Sequence, residues 1–161
     1  MNSRVICRMK ESDISQAAAI WVGQYKQHCG ASESFPMSWT EDTSEIVSFL
    51  RKKVADKKAI VARLGDRLLG YLAYDEFPFH GEKSVFCPAI AHAAIDEHRE
   101  ETYRSLYEAG SREWVNGNAL NHMWTVFHND SGLRRLLYDL GFGSYLVDAF
   151  ACTNKRIVAS T

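Results

Sequence analysis

Long apolar runs are missing from this sequence. Nowhere do about 18 apolar residues follow one another, the length a helix needs to cross a bilayer, so no membrane-spanning segment is expected. The first residues, Met1 to Arg8, lack the apolar stretch of a signal peptide, and export is not expected either. An excess of one charge is missing too: 19 Lys and Arg against 20 Asp and Glu leave a net charge of -1. Without a general pull toward phosphate backbones or anionic lipid, nucleic acid and membrane surfaces drop out as expected partners. Cysteine is sparse. Cys7, Cys29, Cys87 and Cys152 form no CxxC pair and have no histidine at zinc-ligand spacing, which reads as reduced thiols in a cytoplasmic protein. Internal repeats and low-complexity segments are absent as well.

What is present suits a single domain spanning 1–161, because a chain of 161 residues with 46% hydrophobic residues can bury an ordinary core. A short strand is expected around Arg4 to Lys10, where Val5, Cys7 and Met9 recur at a spacing of two. Ile14, Ala18, Trp21, Val22, Tyr25 and Cys29 then share one helical face, with Asp13 and Gln16 as a capping pair and Gly30 as the stop. A second helix follows the N-cap candidates Thr40, Asp42 and Thr43 and buries Ile46, Phe49, Leu50 and Val54. Gly65-Asp66, set between the apolar runs Ala59–Leu64 and Arg67–Tyr74, is the clearest hairpin signal. A polar loop is read from Asp75 to Lys83, then a long strand from Ser84 to about Ile95, in which Pro88 marks a bulge or an edge because proline cannot donate to a ladder.

A third helix over about Glu100 to Val115 leads to a strand at His122–Phe127. A fourth helix is capped by Asp130 or Ser131 and stopped by Gly141, ahead of a last strand at about Ser144–Phe150 and a short seventh near Arg156 to Ala159. The order β-α-α-β-β-β-α-β-α-β predicts an α+β fold: a mixed twisted sheet of six or seven strands flanked by four helices, with a parallel crossover through the third helix.

In this order, in the hairpin from Ile60 to Tyr74 with its Gly70-Tyr71 pair, and in the helix ending Leu140-Gly141-Phe142, the chain resembles the GNAT superfamily of acetyl-CoA-dependent N-acetyltransferases over nearly its whole length. The resemblance implies that the fourth and fifth strands part and that the pantetheine arm of acetyl-CoA pairs with backbone groups of about Ala93, Ala94 and Ile95. It also implies that the pyrophosphate rests on the start of the third helix, where orphan N–H groups and the dipole favour an anion. The family's pattern there, Arg or Gln, two residues, Gly, one residue, then Gly or Ala, falls on Arg99-Glu100-Glu101-Thr102-Tyr103-Arg104. Thr102 and Arg104 replace the small residues, and Glu100 and Glu101 add charge that opposes a diphosphate. Arg99, Thr102, Tyr103, Arg104 and Asn129 are the cofactor contacts so implied, together with Ala94 and Ile95. The family's acid, a tyrosine four residues before the Gly of Leu-Gly-Phe, falls on Leu137. Tyr138 is the nearest candidate, one residue and 100° further round the helix.

The transfer needs an amine freed of its proton, and His92, flanked by small residues that leave room for a substrate, is the candidate base. Against it stands a core histidine bonded to a backbone carbonyl. Asp96 and His98 lie nearer the phosphate end. His80, His92, His98, His122 and His128 share no ligand spacing, so no metal is expected. The apolar loops Phe35–Trp39 and Phe77–His80 either line a pocket for an acceptor of apolar character, or cap the core or meet a second subunit. Two functional readings follow. One is an acetyltransferase in which a primary amine attacks acetyl-CoA directly, leaving Cys87 a core thiol. The other is a catalytically degenerate GNAT-fold binding or scaffold module, akin to one half of a tandem GNAT protein. The resemblance allows a homodimer, which no stripe in the sequence demands.

Overall fold

The computed structural model describes residues 4–30 and 34–149. Seven strands and five helices run in the order β1 (Val5–Arg8), α1 (Ile14–Cys29), α2 (Ser38–Glu41), α3 (Ser44–Ala55), β2 (Ala59–Leu64), β3 (Arg67–Ala73), β4 (Asp75–Phe79), β5 (Glu82–Cys87), β6 (His92–Ala94), α4 (Arg99–Asn116), β7 (Asn121–Trp124) and α5 (Ser131–Asp139). They form two sheets, β1-β2-β3-β6 and β4-β5-β7. Every pairing is antiparallel except β5 with β7, the parallel crossover through α4. No helix among the described residues is long and apolar enough to cross a membrane.

The hairpin β2–β3 forms as expected, with Gly65 at φ 61° in the turn. The segment read as a polar loop is instead β4, paired with β5 through a two-residue turn in which His80 (φ 50°) and Gly81 (φ 82°) are both left-handed. That geometry matches the right-handed twist of the flanking strands. The expected long strand from Ser84 to Ile95 is two strands in different sheets. Pro88 ends β5, and a 3-10 turn at Ala89–Ala91 turns the chain into β6. The carbonyls exposed at that elbow are taken by side chains: Trp21 Nε1 donates to Ala89 O (3.1 Å) and Tyr71 OH to Ile90 O (2.6 Å). The elbow is therefore fixed rather than frayed.

Two other expectations are corrected. The carboxylate of Asp13 caps nothing in α1; it accepts from Lys10 N at 2.9 Å and pairs with Arg63. Residues 144–149 form no strand, and Tyr145, Leu146 and Val147 are exposed. The seventh strand expected near Arg156 lies outside the described residues.

The main core joins α1 and α3 to β2, β3 and α4, and a smaller one joins Ala94 and Tyr103 to Leu133, Leu136 and Leu137 of α5. Gly70 sets how closely these layers approach. A Cβ there would stand 2.7 Å from Ala93 O and 3.0 Å from Thr102 Cγ2, so only glycine lets the first turn of α4 settle on β3 and β6. Cys7, Cys29 and Cys87 are free thiols, and burial pushes the Cys87 thiol well up, away from the thiolate a nucleophile needs.

Candidate active site

β5 and β7 stay paired from Ser84 to Cys87, and the last rung is Thr125 N donating to Cys87 O at 2.9 Å. Beyond Pro88 the strands part. β6 pairs with β3 on one edge, and among the described residues its other edge has no strand beside it. In an antiparallel pair, alternate residues turn their N–H and C=O toward and away from the partner. Ile95 N is spent on Leu69 O at 2.9 Å, so the free amide expected there is absent. By that alternation His92 and Ala94 each turn their N–H and C=O toward the breach; His92 O and Ala94 N are two of these groups.

Both are occupied by one side chain. Gln24, 5% exposed on α1, donates from Nε2 to His92 O (3.3 Å) and accepts from Ala94 N on Oε1 (3.4 Å). The same oxygen accepts from Tyr103 OH (2.8 Å) and Arg99 Nη2 (3.0 Å). Arg99 in turn grips Asp130 with both nitrogens, at 2.9 and 2.6 Å. Asp130 also caps α5 by accepting from Leu133 N at 3.2 Å. Burial alone would raise the Asp130 carboxyl, but the hydrogen bonds and charge of Arg99 outweigh it and hold it below the usual range.

His92 is not the open base expected from its small neighbours. Its ring is 1% exposed, tilted over Trp124 (4.9 Å between centroids) and edge-on to Tyr103 (5.7 Å), which come from β7 and α4. Nε2 meets Thr125 O at 2.8 Å and Nδ1 meets Tyr103 OH at 3.2 Å, so the imidazole ties the parted strands together and shows neither nitrogen to a substrate. Burial drives its pKa down to about 4.

The remaining expected contacts scatter. Tyr103 is buried, with the Arg99 guanidinium 5.0 Å over its ring, and burial pushes its phenol up. Thr102 is fully buried beneath Gly70, and its hydroxyl finds no partner among the described residues. Neither Thr102 nor Arg104 plugs the breach: Arg104 lies on the α4 surface, 3.4 Å from Glu100. Glu101 is held by Arg4 (3.3 Å) and His98 (3.1 Å), so both acidic groups of the first turn have basic partners. Asn129 is exposed and donates to His28 O.

Beside the breach lies a cavity of about 1090 Å³ lined by Trp21, Phe35, Trp39, Phe86 and Phe127, with Tyr138 and Asn129 among its polar groups. Tyr138 is half exposed, and its OH lies 2.7 Å from Ser144 Oγ. The apolar loop Phe35–Trp39 does line a pocket, whereas Phe77 and Phe79 pack against each other on β4. A residue passed over in the sequence, His28, is on the cavity wall, and its Nε2 stands 3.4 Å from Asp130 Oδ2 without hydrogen-bond alignment. Burial lowers its pKa against the opposing pull of Asp130, which leaves the imidazole neutral at physiological pH. The signal for it was Gln24 and His28 one turn apart on the helical face that also carries Ala17 and Trp21. Among the described residues no group of three or more His, Cys, Asp or Glu is gathered to hold a metal ion.

With this geometry in view, the fold is that of GNAT N-acetyltransferases. A GCN5-related N-acetyltransferase from Ralstonia eutropha superposes with a TM-score of 0.70 at 12% identity, covering 93% of this chain and 99% of the other. A predicted acetyltransferase with acetyl-CoA from Clostridium acetobutylicum gives 0.68 at 12% identity, covering 91% and 96%. An aminoglycoside acetyltransferase from an uncultured soil metagenomic sample, in complex with sisomicin, gives 0.61 at 15% identity, covering 94% and 97%. No family model and no curated protein matches the chain.

Proposed function

We propose that the protein is an acyl-CoA-dependent N-acyltransferase that carries an acetyl group from acetyl-CoA to a primary amine held in the aromatic cavity. The observation that carries this reading is the parting of the strands after Cys87 and Thr125 directly beside that cavity. A carboxamide already sits on His92 O and Ala94 N, so the outer edge of β6 suits the amide-bearing arm of acetyl-CoA. Ala94 would hold that arm, Arg99 and Tyr103 would donate to its carbonyl oxygen, and the partly buried Arg104 of the first α4 turns would be the cation to meet a diphosphate. Ile95 and Thr102 shape the edge and the helix start without touching the arm. When bound, acetyl-CoA supplies the activated acyl group.

His28 replaces His92 as the proton acceptor. The nearby Asp130 carboxylate favours the proton on Nε2 and leaves Nδ1 to take one from the incoming ammonium. Asn129 steadies His28 through its backbone oxygen, and Tyr138 on the cavity wall is the group that returns a proton to the leaving thiolate. The aromatic walls favour an acceptor with an apolar body.

The second reading, a GNAT-fold binding or scaffold module, is favoured by the closed network around Gln24. Thermal unfolding with acetyl-CoA separates the two. At about 100 times its Kd, a ligand of the folded state adds about 2.7 kcal/mol, several degrees in midpoint. A flat response to acetyl-CoA and to longer acyl-CoAs would leave only the module.

A further inference from the structure

Three groups converge on the single carbonyl oxygen of Gln24: Arg99 Nη2 at 3.0 Å, Ala94 N at 3.4 Å and Tyr103 OH at 2.8 Å, whose one proton is shared between this oxygen and His92 Nδ1 at 3.2 Å. A carbonyl offers two lone pairs, so Arg99 and Ala94 already fill this oxygen whichever way the Tyr103 proton points. The groups behind the donors are fixed independently of Gln24. Arg99 is clamped by Asp130, Tyr103 is packed between α4 and β7, and Ala94 is locked in the ladder with β3. The side-chain amide thus occupies a rigid carbonyl site, and its two bonds to the strand edge, at 3.3 and 3.4 Å, are the longest in the network.

We infer that Gln24 is an internal gate: its carboxamide imitates the amide of an extended ligand on β6, and an incoming amide-bearing arm must displace it to reach Ala94, Tyr103 and Arg99. This rests on the acyl-CoA reading for the identity of the natural arm, but the competition itself requires only an amide. Removing Gln24 leaves His92 O, Ala94 N and the converging donors buried without their partner, and such groups take up a ligand carbonyl more readily than satisfied ones do. The gate makes the wild-type protein a weaker binder than its fold allows, since part of the ligand's binding free energy goes into expelling the residue.

The test is calorimetric titration of wild type, Gln24→Ala and Gln24→Met with acetyl-CoA and, separately, with pantetheine, which carries the amides without the nucleotide. Met keeps the length of Gln without its amide and serves if the Ala variant does not fold. Both variants are expected to bind acetyl-CoA about tenfold more tightly than wild type, equivalent to about 1.4 kcal/mol. If wild type binds and both variants bind equally or more weakly, the gate is overturned while the acyl-CoA reading stands. If acetyl-CoA binds none of the three but pantetheine binds the variants more tightly than wild type, the gate stands and the acyl-CoA reading falls. If neither probe binds any of them, both fall. In wild type itself, saturation with whichever probe binds should move the Gln24 side-chain amide resonances toward solvent-exposed values; unmoved resonances would also refute the gate.

Discussion

His92 makes a stability measurement into a test of the whole site. In the folded chain its pKa lies at about 4, against 6.5 for an unhindered imidazole, because the ring is sealed between Trp124 and Tyr103. Between those two values the unfolded chain binds a proton that the folded chain refuses, so acid draws the equilibrium toward unfolding. Stability from this residue is complete above about pH 6.5 and drains away as the pH falls toward about 4. At about 1.36 kcal/mol per pH unit the limit is about 3.4 kcal/mol, of which about 2.5 kcal/mol is gone by about pH 4.5. Guanidinium unfolding of wild type and His92→Gln at a series of pH values isolates the effect, because the carboxylates and the other histidines contribute to both curves and cancel in the difference. The variant should be less stable near neutrality, with its deficit shrinking by about 2.5 kcal/mol between about pH 7.5 and about pH 4.5. Parallel curves over that span would show that His92 titrates like an exposed histidine, and the closed arrangement between β6 and β7 would be wrong.

Asp130→Ala should cost about 3–5 kcal/mol in denaturant unfolding, because it strands the Arg99 charge and removes the α5 cap together. Gly70→Ala should cost about 1–3 kcal/mol by the same assay, since the new methyl meets the Ala93 carbonyl, which is backbone and cannot step aside. If the chain turns over acetyl-CoA, His28→Gln should lower kcat by about 100-fold with little change in KM for acetyl-CoA, and a rate that stays level would remove His28 as the proton acceptor.

The order of elements was readable because its punctuation is local. Gly65-Asp66 announces the β2–β3 hairpin, and Asp130 and Gly141 bracket the α5 segment within a dozen residues. β4 escaped notice because Asp75, Glu76 and Pro78 look like a loop. Its strand character comes from β5, which meets it through a turn whose left-handed first residue, His80, is not a glycine and so gives no plain turn signal. The site was harder to read because its contacts are distant in sequence. Small neighbours around His92 promised space, but the rings that fill it arrive from residues 11 and 32 positions away. Gln24 meets its partners across 68 to 79 residues, so no window on α1 could disclose what it does.

Pro88 donates nothing, and the turn after it belongs to neither ladder, so β5 and β6 share no backbone hydrogen bond and are linked through the chain itself, side-chain packing and side-chain bonds such as that of His92 to Thr125 O. The backbone ladder is interrupted at that point. Denaturant can then loosen the smaller three-stranded sheet while the four-stranded one keeps its amide protons. Deuterium uptake should accordingly step upward on passing back from Ala93 to Val85, dividing the chain into two exchange units that share a single stretch of sequence.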